Sequence, residues 1–363
     1  MQRPRRMRRL AGPLLGGLLP VYAALLSAEY VSSSSPVPLL VGFNVLAYVP
    51  YYIVLLAVIG RAGPLSVRSL YLFGAVLGLG TESFITKVAW AHPAGWAPVL
   101  GQAGGFGPWE LAVLVFTYHP LLSVLVPVML CGDAFGLPRG WPLAPRARRL
   151  LLAALPVLTG AFAAFAGQPP AVAGAALAVN AVTLTALVAA WRRWGAPPRR
   201  IAAPWLAAAV ACGVFFAAAA LPVRYTPAPG TLLATIAVLV LLALAFARSV
   251  RRDAVPRAAA STPPASTPPA GEPAAREPAA GEPAAPPVSF GWRGYLTYLA
   301  GFAVVSWACY LVLTLAGGPG RVVVALLALA GGIAGTGYLL ACVARALLPE
   351  SPRRRPHTAG GGP

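Results

Sequence analysis

The chain carries ten runs of about 20 consecutive apolar residues, and this pattern restricts its fold more than any other feature. A helix needs about 20 apolar residues to cross the roughly 30 Å hydrocarbon core of a bilayer. The runs cover about 10–30, 37–60, 69–90, 109–131, 149–167, 171–191, 201–222, 230–248, 294–316 and 320–346. They predict an all-α polytopic membrane protein with about ten transmembrane helices.

Composition agrees with a membrane protein and weighs against a nucleic-acid partner. Only 10% of the residues are charged and 58% are hydrophobic, whereas a soluble domain is typically about a quarter charged. The net charge of +19 comes from arginines that flank the apolar runs. We therefore expect the partner to be a lipid bilayer with anionic headgroups on the cytoplasmic side, and no nucleic acid.

Arginine placement predicts the topology, because short cytoplasmic loops collect basic residues. With the N-terminus inside, every arginine except Arg224 and Arg321 falls in a cytoplasmic segment. This alternation predicts a multi-pass protein of the cell membrane with both termini cytoplasmic. The first run also resembles a signal peptide, but a cleavage point after Ala28 has Leu26 three residues before the cut, so we expect an uncleaved helix.

Four segments follow along the chain. Residues 1–250 are predicted to form an eight-helix membrane domain, and residues 291–348 a two-helix hairpin. Between them, residues 251–290 contain five consecutive pentads rich in proline and alanine. Such a tract cannot bury a core, so we expect a disordered cytoplasmic linker. Residues 349–363 are predicted to form a disordered basic tail.

Ionisable groups at membrane depth are the best sequence indication of function. The chain has a single lysine, Lys87, in the polar stretch TESFITK at 81–87. Glu82 and Lys87 are about 140° apart around a helix, so they do not pair on one face. Each must find its partner on another helix.

Helical rise places those partners. Helix 3 runs outward and helix 4 returns, so Glu82 and His119 should lie level near the midplane. Lys87 and Glu110 should approach each other nearer the outer surface. Further residues of the same outer half are Asn44, Tyr48 and His92. We predict a proton or substrate site made of Glu82, His119 and Lys87, with Glu110, Asn44, Tyr48 and His92 binding substrate.

Ordinary structural roles compete with this interpretation. Lys87 can snorkel to the outer interface beside Trp90. His119 precedes Pro120 and can cap a carbonyl that the proline frees. His92 and Glu110 lie at the interface, where solvated polar residues are common. The pairs Gly74–Gly78 and Gly331–Gly335 have GxxxG spacing, which we interpret as helix-packing faces.

The segment FGAVLGLGTESFITKVAW resembles a stretch in uncharacterised prokaryotic multi-pass membrane proteins, where a glycine-rich half helix leads into an acidic residue, ITKV and a nearby tryptophan. The resemblance covers about 20 residues. It implies that Glu82, Lys87 and Trp90 belong to a shared site, and it brings no function or cofactor with it.

Standard catalytic motifs such as HExxH, GxSxG, the P-loop and CxxC are missing from the sequence. The four cysteines form no metal-binding pattern, and we predict no metal site. Three functions remain open. The first is a proton- or cation-coupled transporter that uses a midplane carboxylate. The second is a membrane-embedded enzyme acting on a lipid or lipid-linked substrate at the outer leaflet. The third is a noncatalytic membrane assembly subunit.

Overall fold

A computed structural model describes Leu15 and residues 18–28, 43–85, 107–108, 111–132, 143–166, 169–194, 209, 213, 228–260 and 292–348. Every regular element in these ranges is a helix. We label the helices in chain order, with π1 and π2 for two segments of wider π-helical winding. The elements are α1 Leu18–Ser27, α2 Phe43–Ala62, α3 Val67–Gly80, π1 Thr81–Ile85, π2 Leu111–Leu125, α4 Val126–Cys131, α5 Pro145–Ala166, α6 Pro170–Trp194, α7 Pro229–Ala260, α8 Trp292–Leu315 and α9 Gly318–Leu347.

The predicted all-α polytopic membrane fold is confirmed. Five described helices are long and apolar enough to cross a bilayer: Leu111–Cys131, Pro170–Arg193, Pro229–Ala254, Gly294–Leu315 and Gly318–Leu347. Each of them matches one of the predicted spans. The total of ten spans and the cytoplasmic placement of both termini remain predictions.

Local sequence explains where several helices begin and end. Gly63 follows α2 with a positive φ of 80°, and its amide bonds to Ile59 O at 2.8 Å, which closes the helix. Gly317 makes the turn between α8 and α9. The helix α7 continues to Ala260, so the structure remains helical beyond residue 250, where composition alone placed the start of the linker.

The helix π2 lies at the centre of the described bundle, between α3 and α9. Both GxxxG pairs face it. A Cβ on Gly74 would clash with the backbone of Pro120, and one on Gly335 would clash with Phe116 and Thr117. The Thr117 hydroxyl donates to Gly331 O at 2.8 Å. Glycines therefore allow both α3 and α9 to approach π2 closely.

Tyrosine hydroxyls from neighbouring helices donate to backbone carbonyls close to three prolines. Tyr71 donates to Phe116 O in π2, and Tyr52 donates to Ser123 O in the same helix. Tyr298 donates to Leu152 O at 3.3 Å. Leu152 O lies four residues before Pro156 in the α-helix α5, and Pro156 has no amide to donate to it, so Tyr298 supplies a donor.

The helices α7, α8 and α9 leave many large apolar side chains exposed along their lengths, as lipid-facing helices do. In contrast, 72% of the most apolar 18-residue stretch within Leu111–Cys131 is buried inside the bundle. The polar residues of this central segment therefore face protein and not lipid.

Candidate functional site

A buried carboxylate–imidazole pair joins π1 to π2. Glu82 Oε1 lies 2.7 Å from His119 Nε2. Glu82 is 7% exposed and His119 is 1% exposed. The structure therefore places these two residues in contact, as the depths of their antiparallel helices predict.

The second nitrogen of the His119 ring faces two hydroxyl groups. His119 Nδ1 lies 3.1 Å from Ser123 Oγ and 3.3 Å from the Tyr48 hydroxyl. These two hydroxyls are 3.2 Å apart. Ser123 is one helical turn after His119 on π2, whereas Tyr48 comes from α2. Glu82, His119, Ser123 and Tyr48 thus form one hydrogen-bonded group, which we call the Glu82 network.

The glycine face of α3 brings the network together. Gly74, Gly78 and Glu82 follow one another at four-residue spacing, which places them on one side of the helix. A Cβ on Gly78 would lie 2.9 Å from the His119 Cβ atom and 3.0 Å from Cδ2. Because Gly78 has no side chain, the imidazole packs directly on α3 and reaches Glu82 one turn later.

The geometry of the network is compatible with two protonation states of His119. When Glu82 is ionised, its Oε1 can only accept, so His119 Nε2 carries the proton and donates. In the neutral imidazole Nδ1 is then an acceptor for Ser123 or Tyr48. In the imidazolium both nitrogens donate, and Nδ1 donates to a hydroxyl oxygen. The same contacts thus accommodate His119 with one or two protons.

The network is separate from the carbonyl contact next to it. Phe116 O, one turn before Pro120, accepts from the Tyr71 hydroxyl, while the two His119 nitrogens contact the side chains of Glu82, Ser123 and Tyr48. The hydrogen bonds of the His119 ring are thus to side chains, whereas its competing structural explanation was the capping of a carbonyl at Pro120.

Other predicted site residues are not described by the structure. Lys87, Glu110 and His92 lie outside the described residues, as do Trp90 and most of the glycine-rich loop after it. Asn44 lies in α2, but its side chain is likewise outside the described part. Their placement near the Glu82 network remains a prediction.

Two features escaped the sequence analysis. Ser123 was not singled out, although its four-residue spacing from His119 was a usable signal. Asp253 was assigned to the linker region, yet its carboxylate bonds to the start of α3. Among the described residues, no group of three or more His, Cys, Asp or Glu side chains could hold a metal ion.

Comparison with known proteins gives a family and no activity. A family model described as an uncharacterised membrane protein family matches residues 18–350. An uncharacterised protein of Archaeoglobus fulgidus is 35% identical over 107 residues, which cover 28% of this chain and 33% of the relative. The match thus spans about a third of that relative's length. No solved structure matches the chain.

Proposed function

We propose that this chain, which belongs to the uncharacterised membrane protein family matched above, is a proton-coupled membrane transporter with Glu82 and His119 as its proton site. The observation that carries the proposal is the 2.7 Å contact between two buried titratable side chains in the central helices. Intramembrane ionisable groups are costly and usually mark ion or substrate pathways.

The pairing suits reversible proton uptake. A proton that arrives at the pair is held by the carboxylate or by the imidazole, and the 2.7 Å hydrogen bond lets it pass between them. Protonation also changes the hydrogen bond at Nδ1, because that atom switches from acceptor to donor. The hydroxyls of Ser123 and Tyr48 must then reorient, which links proton binding to the contact between π2 and α2.

The helices that carry the pair are wound as π-helices beside it. The helix α3 changes to π-helical winding at Thr81, next to Glu82, and π2 is wound in the same way around Pro120. Short π-helical segments within α-helices, such as π1, are frequent at functional sites. We place the transporter in the cell membrane with ten spans and both termini in the cytoplasm. Its substrate class is a small molecule or a lipid, contacted by Lys87, Glu110, Asn44 or His92 on the outer side.

The test is proton binding followed by proton movement, both with the full-length protein in liposomes. Infrared difference spectra between acidic and alkaline buffer should contain a carboxyl band that disappears in Glu82→Gln. A potassium diffusion potential across liposomes loaded with a pH-sensitive dye should drive proton uptake that Glu82→Gln and His119→Gln abolish.

The matched control is Thr185→Val. It removes a partly buried hydroxyl whose partner is Ala181 O, at 2.8 Å in α6, away from the network. It should retain both signals. An infrared spectrum of Glu82→Gln identical to the wild-type spectrum would show that Glu82 does not titrate, and the proposal would fail.

A second candidate is a membrane-embedded enzyme, and one observation favours it. Ser123 Oγ lies 3.1 Å from an imidazole that also contacts a carboxylate, the residue types that activate a serine nucleophile. Ser123 is fully buried, which favours a role in passing protons over a role as a nucleophile that substrate must reach. A fluorophosphonate probe separates the two, because an enzyme would be labelled at Ser123 and not in Ser123→Ala, whereas a proton relay would leave both unlabelled.

A further inference from the structure

A second polar cluster joins α7 to α3 at the other end of the bundle. Asp253 Oδ2 accepts from the backbone amide of Ser66 at 2.9 Å and from the Ser69 hydroxyl at 2.6 Å. Ser69 Oγ lies 2.7 Å from Ser249 Oγ, which accepts from Arg68 Nε at 3.0 Å. Since the carboxylate only accepts, the order of donors is fixed: Arg68 donates to Ser249, Ser249 donates to Ser69, and Ser69 donates to Asp253.

The neighbouring residue connects α7 to a third helix. Arg252 donates to Arg345 O and, at 2.8 Å, to Leu348 O at the C-terminal end of α9. The signs of the two charges suit the two helix ends. The carboxylate of Asp253 faces the positive N-terminus of α3, and the guanidinium of Arg252 faces the negative C-terminus of α9.

The helix α7 contacts α3 and α9, and these are the two helices whose glycine pairs pack on π2. Above the polar cluster, α7 and α3 pack through apolar groups, with the rings of Phe73 and Phe246 5.4 Å apart. Leu242 and Ala245 of α7 are buried in the same seam. The helix α7 therefore contacts both of the helices whose glycines pack on π2, the helix that carries His119.

We propose that Asp253 is a latch that holds α7 on α3 and closes the arginine-rich end of the bundle. Its partners are hydrogen-bond donors at the start of α3, so the polar contact adds to the apolar packing of the two helices. A role of this latch in gating depends on the proposed function, because the latch would then control access to the Glu82–His119 pair. Its test does not depend on that pair.

The test measures how often the seam opens. Ala245 of α7 is fully buried in the apolar cluster that α7 forms with α3 and α9. It is replaced by cysteine in a full-length chain in which Cys131, Cys212, Cys309 and Cys342 are alanine. The labelling rate by a water-soluble maleimide is then measured in liposomes. Asp253→Ala should raise this rate about fivefold or more, which is the population change that about 1 kcal/mol gives.

Further variants separate the latch from general damage. Ser69→Ala removes one of the donors to Asp253 and should raise labelling in the same direction. Asp253→Asn keeps a neutral acceptor and should give an intermediate rate. Arg251→Ala changes an exposed charge on the same helix and should label at the wild-type rate. A second probe, Ala176→Cys in the buried face of α6, should remain unlabelled in every variant.

Two results would overturn the proposal. The first is wild-type labelling of Ala245→Cys in both Asp253→Ala and Ser69→Ala, each eluting as a folded protein in gel filtration. The second is an equal rise at Ala176→Cys, which would mean global loosening. If Asp253→Ala opens the seam while Glu82 shows no titration, the latch stands and the proton site falls. If Glu82 titrates while Asp253→Ala labels at the wild-type rate, the latch falls and the proton site stands.

Discussion

The Tyr71 hydroxyl of α3 donates to the carbonyl oxygen of Phe116 in π2 and lies 3.2 Å from Gly335 O in α9. One side chain thereby connects three helices close to His119. Tyrosine hydroxyls make similar contacts between helices at Ser123 O, from Tyr52, and at Leu152 O, from Tyr298. In a membrane, where water cannot satisfy a buried hydroxyl, such contacts stabilise the packing of one helix on another.

Tyr71→Phe should therefore destabilise the protein by about 0.5–1.5 kcal/mol, the usual net contribution of a hydrogen bond. The measurement is the free energy of unfolding in mixed micelles. An unchanged free energy of unfolding would contradict the assigned role of the Tyr71 hydroxyl.

Gly78→Ala should damage the site through packing alone. The new Cβ would lie 2.9 Å from the His119 Cβ atom, so the imidazole must move away from Glu82. We expect a loss of about 1–3 kcal/mol, typical of overpacking, and a changed ¹⁵N shift of His119 Nε2 in the NMR spectrum. Gly337→Ala is the matched control, since no atom lies within 4 Å of its added Cβ. A wild-type His119 shift in Gly78→Ala would show that the close approach does not position the ring.

Much of the fold and part of the site follow from the sequence, because the depth of a residue in the bilayer can be calculated from its position along a transmembrane helix. The five long apolar helices and the contact between Glu82 and His119 both come from helical rise and antiparallel order. The tyrosine–carbonyl bonds do not, because they require knowing which helices are neighbours. Asp253 was assigned to the linker since it follows the end of the apolar run. Its four-residue spacing from Ser249 was the available sign that the helix continues.

Asn180 is a buried amide in the middle of α6. Neither its nitrogen nor its oxygen has a hydrogen-bond partner among the described residues. Asn180→Leu, which keeps a similar volume, should raise the free energy of unfolding by about 1–3 kcal/mol, because it removes an uncompensated desolvation cost. Thr185→Val, whose hydroxyl is bonded within the same helix, should change stability less. A destabilised Asn180→Leu would mean that the amide has a partner in the folded protein.

The Glu82–His119 pair should behave as a unit in stability measurements. Removing one member of a buried hydrogen-bonded pair leaves the other unsatisfied, which typically costs about 1–3 kcal/mol and more for a charged group, whereas replacing both by apolar residues of similar shape is often neutral or stabilising. Glu82→Leu and His119→Leu should therefore each be strongly destabilising, and the double variant should be more stable than either. Denaturant unfolding of the four proteins measures the coupling energy. Costs that simply add in the double variant would show that the 2.7 Å contact contributes nothing to the folded state.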